Sequence, residues 1–302
     1  MSWRHAMSLG GPGTAAPCHN RGVPGVMIFG AGGQLGSVLV SSLSDAGLDP
    51  VAIPRSIDIR DENAVRTAVD ECRPEWIVNA AAMTDVDGAH AEPERAFAVN
   101  ALGAGHIARS AAQACARFVH ISTEAVFDGN RLAPYAEEDA CRPVSVYGAS
   151  KRAGESLVGI YATDAYILRT SWLYGRSGGA NFPTRLIANL MRGADAVPVV
   201  TDIVGNPTPA SVLASAVSRL IRQPCAPGTY HVCCTEPASK FDWAVAIAER
   251  AGFDPARIVP VTSDRFPTAA ARPKHVDLNT ARFAATGVMP LPTWREAWQD
   301  SD

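Results

Sequence analysis

The sequence predicts an α/β fold, a Rossmann-like doubly wound parallel sheet with a smaller C-terminal substrate-binding lobe. Three observations predict it: short, nearly continuous apolar runs recur along the first half, helix-length periodic segments separate them, and the first run leads directly into a cluster of glycines. Parallel strands covered on both faces read as unbroken hydrophobic runs, whereas half-exposed strands alternate.

The first run, Val26 to Phe29, enters Gly30-Ala31-Gly32-Gly33-Gln34-Leu35-Gly36, after which Leu35, Val38, Leu39 and Leu43 fall at helical spacing. This is strand, tight turn and helix. The theme returns with runs at Pro50 to Ile53, Trp76 to Val78, Phe118 to Ile121 and Ala165 to Leu168, separated by helical segments such as Pro93 to Ala114 and Tyr147 to Tyr161. Strands alternating with helices imply right-handed crossovers, which place helices on both faces of one sheet. After about Arg169 the pattern loosens into a glycine-rich stretch, Trp172 to Asn181, and prolines at 198, 207, 209, 224 and 227. Gly228 to Cys233 still reads as a strand and Phe241 to Ala251 as a helix, so the second half is expected to interleave with the sheet. The expected division is a disordered leader over 1–24, an NAD(P)-binding Rossmann domain over 25–169 and a mainly substrate-binding lobe over 170–302.

Bulk properties narrow the function classes. With 302 residues, 47% hydrophobic and 19% charged, the chain can bury a substantial core without staples. A net charge of -3 supplies no basic field for nucleic acid or an anionic membrane, so small-molecule ligands are expected and neither macromolecular partner is. Seven cysteines contain no C-x-x-C pair, which excludes a zinc ribbon and fits small buried residues in a reducing cytoplasm. No compact His/Cys/Asp cluster has ligand spacing, and no metal is expected. Met1 to Pro24 has no apolar stretch long enough for a signal peptide or membrane span.

The glycine turn is the first functional signal. Gly30, Gly33 and Gly36 allow unusual backbone angles and close approach of a pyrophosphate, while the helix opening at Gln34 and Leu35 offers free N–H groups and positive potential. At the end of the second strand stands Arg55 rather than an acid. This favours the 2'-phosphate of NADPH, with NADH tolerated; Asp58 and Ile59 follow where an adenine would lie. Small residues in Asn79-Ala80-Ala81-Ala82 let the third strand's end approach the cofactor. Asn100, inside a helical segment, calls for a hydrogen-bonding partner.

Tyr147 and Lys151 are four residues apart, one turn along one helical face. A phenol with pKa ~10 needs a positive neighbour to exchange a proton near neutrality, and Lys151 is placed to supply it. Tyr147 would then protonate a carbonyl oxygen while a hydroxyl from Ser122 or Thr123 donates a second hydrogen bond.

Taken together these fragments resemble the extended short-chain dehydrogenase/reductases and, within them, the dTDP-4-dehydrorhamnose reductases. The resemblance runs from about Val26 to Gln299 and rests on the glycine turn, Asn79 to Ala82 with Thr84, Val86 and Asp87, Val99-Asn100, Ile121-Ser122-Thr123, Val126-Phe127-Asp128-Gly129, Tyr147 to Lys151, Gly154-Glu155, Arg169-Thr170-Ser171-Trp172, Asn181-Phe182 and Arg272-Pro273. It implies a triad of Thr123, Tyr147 and Lys151, and a nucleotide-sugar site including Thr84, Val86, Thr123, Trp172, Asn181 and Arg272, the arginine suited to a diphosphate. The implied reaction is NAD(P)H-dependent reduction of dTDP-4-dehydro-β-L-rhamnose to dTDP-L-rhamnose, and a homodimer is compatible with the family. Where the family usually reads Asp-Tyr after the triad threonine, this chain has Glu124-Ala125, which removes an aromatic hydroxyl near the sugar; Met83 and His90 also depart from the family's aromatic and acid. A different dTDP-4-keto-6-deoxyhexose therefore stays open. So does a non-catalytic dinucleotide-binding regulatory subunit, since such a subunit of methionine adenosyltransferase resembles the same family. Epimerase or dehydratase chemistry is disfavoured because only Glu124 stands where dehydratases add an acid pair. His90, His106 and His120 are expected to be structural.

Overall fold

The structure, a computed structural model, describes residues 25–175, 179 and 181–300. The leader expected over 1–24 lies outside the described residues, as do 176–178 and 180 of the glycine-rich stretch. The chain runs β1 (Gly25–Phe29), α1 (Gln34–Asp45), β2 (Asp49–Ala52), α2 (Glu62–Cys72), β3 (Trp76–Asn79), α3 (Val86–Ala91), α4 (Pro93–Phe97), a π-helical turn (Ala98–Gly103), α5 (Ala104–Gln113), β4 (Arg117–Thr123), α6 (Val146–Tyr161) and β5 (Tyr166–Thr170). It continues through β6 (Leu173–Tyr174), α7 (Phe182–Met191), β7 (Val197–Val200), β8 (Val204–Gly205), β9 (Thr208–Pro209), α8 (Ala210–Arg222), β10 (Gly228–His231), β11 (Ala238–Ser239), α9 (Lys240–Arg250), β12 (Ile258–Val261), α10 (Ala281–Ala285) and α11 (Trp294–Asp300).

The predicted fold class is the one observed. Six parallel strands lie in the order β2-β1-β3-β4-β5-β10. The chain moves outward from β1 to β2 and then returns past β1 to β3, so the strand order reverses between β1 and β3. Strand pleating explains the two cores. Val26 and Ile28 point to one face, under Leu39 and Leu43 of α1 and Leu213, Val217 and Leu220 of α8. Met27 and Phe29 point to the other, under Val65 and Val69 of α2, Ile107 of α5 and Val158 of α6. At about 25 cal/mol per Å² of apolar surface removed from water, these two layers supply most of the fold's driving force.

The second half divides its residues. α8 and β10 return to the sheet, while Tyr174, Leu186, Leu190, Trp243, Ile247, Ile258 and Trp294 build a separate core for the smaller lobe. Two sequence expectations change. The helix read as continuous from Pro93 to Ala114 is α4, a π-helical turn and α5, and the strand read to Cys233 ends at His231.

Candidate active site

The glycine turn sits at the β1/β3 reversal, where open α/β sheets offer a crevice beyond the strand ends. Gly30 has φ +81°, and a Cβ there would lie 2.5 Å from the Ala81 amide nitrogen. A Cβ at Gly36 would lie 2.0 Å from the Gly30 carbonyl oxygen, so α1 can close onto β1 only through glycine. α1 starts with no side-chain cap and no acid in its first turn, which leaves its N–H groups and positive end for an anion. A tight turn that only glycine can make at Gly30 and Gly36, beside an uncapped helix, fits a dinucleotide pyrophosphate.

Several residues expected at the cofactor are committed elsewhere. The Gln34 amide donates to the Leu173 carbonyl at 3.0 Å and accepts from Asn181 Nδ2 at 3.1 Å, while Leu35 is buried in the core; both can serve a cofactor through backbone N–H groups. Arg55 is exposed just past β2, as an approach to a 2'-phosphate requires. Asp58 is held by Arg60, whose hydrogen bonds bring the carboxyl down to about 2. Ile59 does not turn outward to an adenine: its side chain is buried, and a Cβ on Gly103 would lie 2.7 Å from it.

Asn79 and Asn100 act as braces rather than as free ligands. Asn79 Oδ1 accepts from the Ala81 amide at 3.0 Å, and its Nδ2 lies 3.2 Å from His120 Nδ1. Asn100, buried in the π-helical turn, accepts from the Met83 amide at 2.8 Å and donates to the Met83 carbonyl and Ser150 Oγ, each at 3.0 Å. The loop that carries Ala80, Ala81 and Ala82 past Gly30 is thus fixed from both ends.

α6 carries the expected catalytic pair. Ser145 caps it by accepting from the Gly148 amide at 3.1 Å, and Gly148 lets it close onto the Ala125 carbonyl, which a Cβ would approach to 2.1 Å. Tyr147, in the first turn, brings its phenol to the Thr123 side chain, whose hydroxyl favours the ionised form. The choice between the two hydroxyls follows from pleating: Ser122 points away and donates to Glu155 Oε1 at 2.6 Å, inside a buried cluster where Glu155 also takes both Arg169 Nε and an Arg169 terminal nitrogen. Thr123 Oγ1 donates to Glu124 Oε2 at 2.7 Å.

The charge around the phenol differs from expectation. Burial and the neighbouring Glu124 carboxylate both push the Tyr147 pKa up, and the Thr123 hydrogen bond opposes them. Lys151 does not contribute to this shift in the chain alone; its Nζ donates to the Ile121 carbonyl at 2.7 Å and lies 3.5 Å from His120 Nε2. Burial brings Lys151 down to about 8, and burial with the nearby Lys151 charge keeps His120 neutral. His120, expected to be structural, joins the Asn79 brace to Lys151.

The sugar side is assembled across the two halves of the chain. Thr84 is exposed and Val86 half-buried at the start of α3. Trp172, just past β5, adopts φ +41°, a left-handed conformation rare for a bulky residue and typical of places where surrounding structure imposes a functional geometry. Its indole lies on Gly205, where a Cβ would come within 2.6 Å. Asn181 caps α7 by accepting from the Thr184 amide and ties Gly175 to Gln34. Arg272, expected to meet a diphosphate, donates to Asp87 Oδ2 at 2.7 Å at the start of α3.

One residue was missed from sequence: Lys240, the first residue of α9, whose Nζ sits 3.4 Å from the Trp172 ring centroid and 4.8 Å from those of Phe182 and Trp243. Burial pulls it down to about 7, and it attracts Glu124, whose own pKa burial raises. The available signal was its place, since a lysine opening a helix opposes the helix dipole. Among the described residues no group of three or more His, Cys, Asp or Glu could hold a metal, and no helix is long and apolar enough to cross a membrane.

Comparison with known proteins bears on this geometry. The family model described as RmlD substrate binding domain matches residues 25–301. A dTDP-4-dehydrorhamnose reductase of Mycolicibacterium smegmatis is 41% identical over 91% of this chain and 84% of its own. A dTDP-4-keto-6-deoxy-D-glucose reductase of Streptomyces niveus is 37% identical over 90% of this chain and 94% of its own. The crystal structure of dTDP-4-dehydrorhamnose reductase from Bacillus anthracis in complex with NADP superposes with a TM-score of 0.87 at 35% identity, covering 92% of this chain and 98% of that one.

Proposed function

The chain belongs to the RmlD family of extended short-chain dehydrogenase/reductases, the dTDP-4-dehydrorhamnose reductase group, and on that premise we propose that it reduces the 4-keto group of a dTDP-linked deoxysugar with NADPH. The substrate named is dTDP-4-dehydro-β-L-rhamnose and the product dTDP-L-rhamnose. The observation that carries the reading is the meeting of the Tyr147 phenol with the Thr123 hydroxyl at the end of β4, in a sheet whose β1/β3 crevice suits a dinucleotide. NADPH supplies the hydride when bound. Gly30, Gly33 and Gly36, with the N–H groups of Gln34 and Leu35 and the Ala80 to Ala82 loop, would hold it, and Arg55 would meet its 2'-phosphate.

Tyr147 donates its proton to the carbonyl oxygen as that oxygen gains charge. Thr123 has a single hydroxyl proton, which the free chain gives to Glu124. Stabilising the same carbonyl oxygen requires Thr123 to turn that proton toward the substrate. Lys151, buried beside Ile121 and His120, provides the positive charge that favours the phenolate left after transfer. Residues 25–169 serve as the cofactor domain and 170–302 mainly as the sugar lobe, with Trp172, Asn181 and Arg272 on the nucleotide-sugar side and Thr84 and Val86 at its edge. We place the enzyme in the cytoplasm, and a homodimer is compatible with its family.

The Streptomyces niveus relative and Ala125 favour a second reading, in which another dTDP-4-keto-6-deoxyhexose is the substrate. The full chain, given NADPH and a panel of dTDP-4-ketosugars, is expected to consume NADPH with at least one, fastest with the rhamnose precursor. Faster turnover of a different hexose selects the second reading; no NADPH oxidation with any of them ends both.

A further inference from the structure

We propose that Glu124 and Lys240 together bind the hydroxyl on the carbon adjoining the substrate ketone, Glu124 accepting its proton and Lys240 donating to its oxygen. This rests on the 4-ketosugar reading and assigns two residues to the recognition of the sugar. Three observations carry it.

Lys240 is the first. It stands among Trp172, Phe182 and Trp243, and among the described residues its Nζ makes no hydrogen bond. An ammonium has three donors and no acceptor, so aromatic faces attract its charge without using its N–H groups. Both desolvation and the positive end of α9 disfavour a charge there, and a hydrophobic side chain would pack the same cage at no such cost.

Glu124 is the second. It lies next to Thr123 in sequence and receives that residue's hydroxyl proton. When Thr123 turns to the ketone, half-buried Glu124 loses this donor from Oε2, and a hydrogen bond to a charged group contributes about 1.5–3 kcal/mol. A replacement has to arrive with the substrate. The hydroxyl adjoining the ketone is the polar group nearest the carbonyl oxygen, and on a 4-ketosugar with a methyl-bearing C5 it is the C3 hydroxyl.

The third is their separation. Glu124 and Lys240 attract each other, yet among the described residues they form no direct ion pair. Glu124 comes from the sheet domain and Lys240 from the smaller lobe, and a single hydroxyl group, which is both donor and acceptor, can satisfy an idle donor and an acceptor about to be vacated.

The test compares the full chain with Lys240→Met and Lys240→Gln, using a dTDP-4-keto-6-deoxyhexose and its 3-deoxy analogue. Methionine suits an aromatic cage, and thermal unfolding of both variants reports whether the lobe is intact. The parent is expected to favour the hydroxylated sugar. Both variants are expected to lose about 10- to 100-fold in kcat/KM with the hydroxylated sugar, the effect of one charge-assisted hydrogen bond, and less than about threefold with the 3-deoxy analogue. Lys240→Arg should recover part of the discrimination. Equal losses on the two sugars, or a parent indifferent to the 3-hydroxyl, overturn the inference while leaving the reductase intact. A parent that oxidises NADPH with neither sugar overturns the reductase reading itself.

Discussion

Tyr147 is held in its protonated form by burial and by the Glu124 carboxylate, and that suits a proton donor more than a base. The reducing direction asks only that the proton leave as the ketone oxygen becomes an alkoxide, whose pKa lies well above that of a phenol. Replacing Tyr147 by Phe removes the donor while keeping the ring, so kcat is expected to fall by about 10²- to 10⁴-fold with NADPH affinity changed little. Steady-state kinetics with a cofactor titration checks this, and a non-catalytic dinucleotide binder would show no kinetic change. Tyr147 and Lys151 were readable as a candidate pair from their four-residue spacing taken together with the glycine turn upstream and the strand ending at Ser122-Thr123. Ser122 against Thr123 was not, because the decision depends on which strand face each occupies. Lys240 was hidden for a related reason: Trp172 and Phe182 reach it from two other segments of the chain, joining Trp243 of its own helix.

At the level of elements, the glycine turn shows why identical residues in one motif carry unequal weight. A Cβ at Gly36 would overlap the Gly30 carbonyl at 2.0 Å, and backbone cannot move aside as a flexible side chain can, whereas at Gly32 nothing lies within 4 Å. Gly36→Ala is therefore expected to push α1 off β1, costing about 2 kcal/mol or more and abolishing NADPH binding. Gly32→Ala should leave the free energy of unfolding within about 0.5 kcal/mol of the parent's. Denaturant unfolding of both variants with a cofactor titration checks the pair; a stable, NADPH-binding Gly36→Ala protein would contradict the close approach. The motif's existence was readable from strand, glycines and helix in succession. Its inner hierarchy needs coordinates, as does the break between α4 and α5. There the Asn100 carbonyl meets α6 at Gly154, where a Cβ would lie 2.2 Å away, and its side chain is drawn to Met83 and Ser150. Helical periodicity carries no mark of such tertiary pulls.

Across the whole molecule, two histidines buried in the sheet set how stability responds to acid. His120 on β4 and His231 on β10 are both fully buried, and burial drives both pKa values down, that of His231 to about 3, with the Arg169 charge adding to the effect. The unfolded chain binds protons at these sites below its ordinary value near 6.5, while the folded chain stays neutral there, so the unfolded state binds more protons and stability rises with pH through this window. Acidification from about 6.5 toward 5.5 is then expected to remove stability, by up to about 1.4 kcal/mol per histidine per pH unit. Glu124 and Asp277 have raised pKa values and work in the opposite sense, chiefly nearer the ordinary carboxyl range. For a domain of this size the histidine effect corresponds to a drop of several degrees in Tm over that unit. His231→Gln should roughly halve the drop while lowering Tm at pH 7, since it gives up the contact of the imidazole edge with Phe127. Differential scanning calorimetry across pH 5.5 to 7.5 measures both effects, and a Tm that stays level through that range would show that the two imidazoles take up protons without leaving the folded sheet.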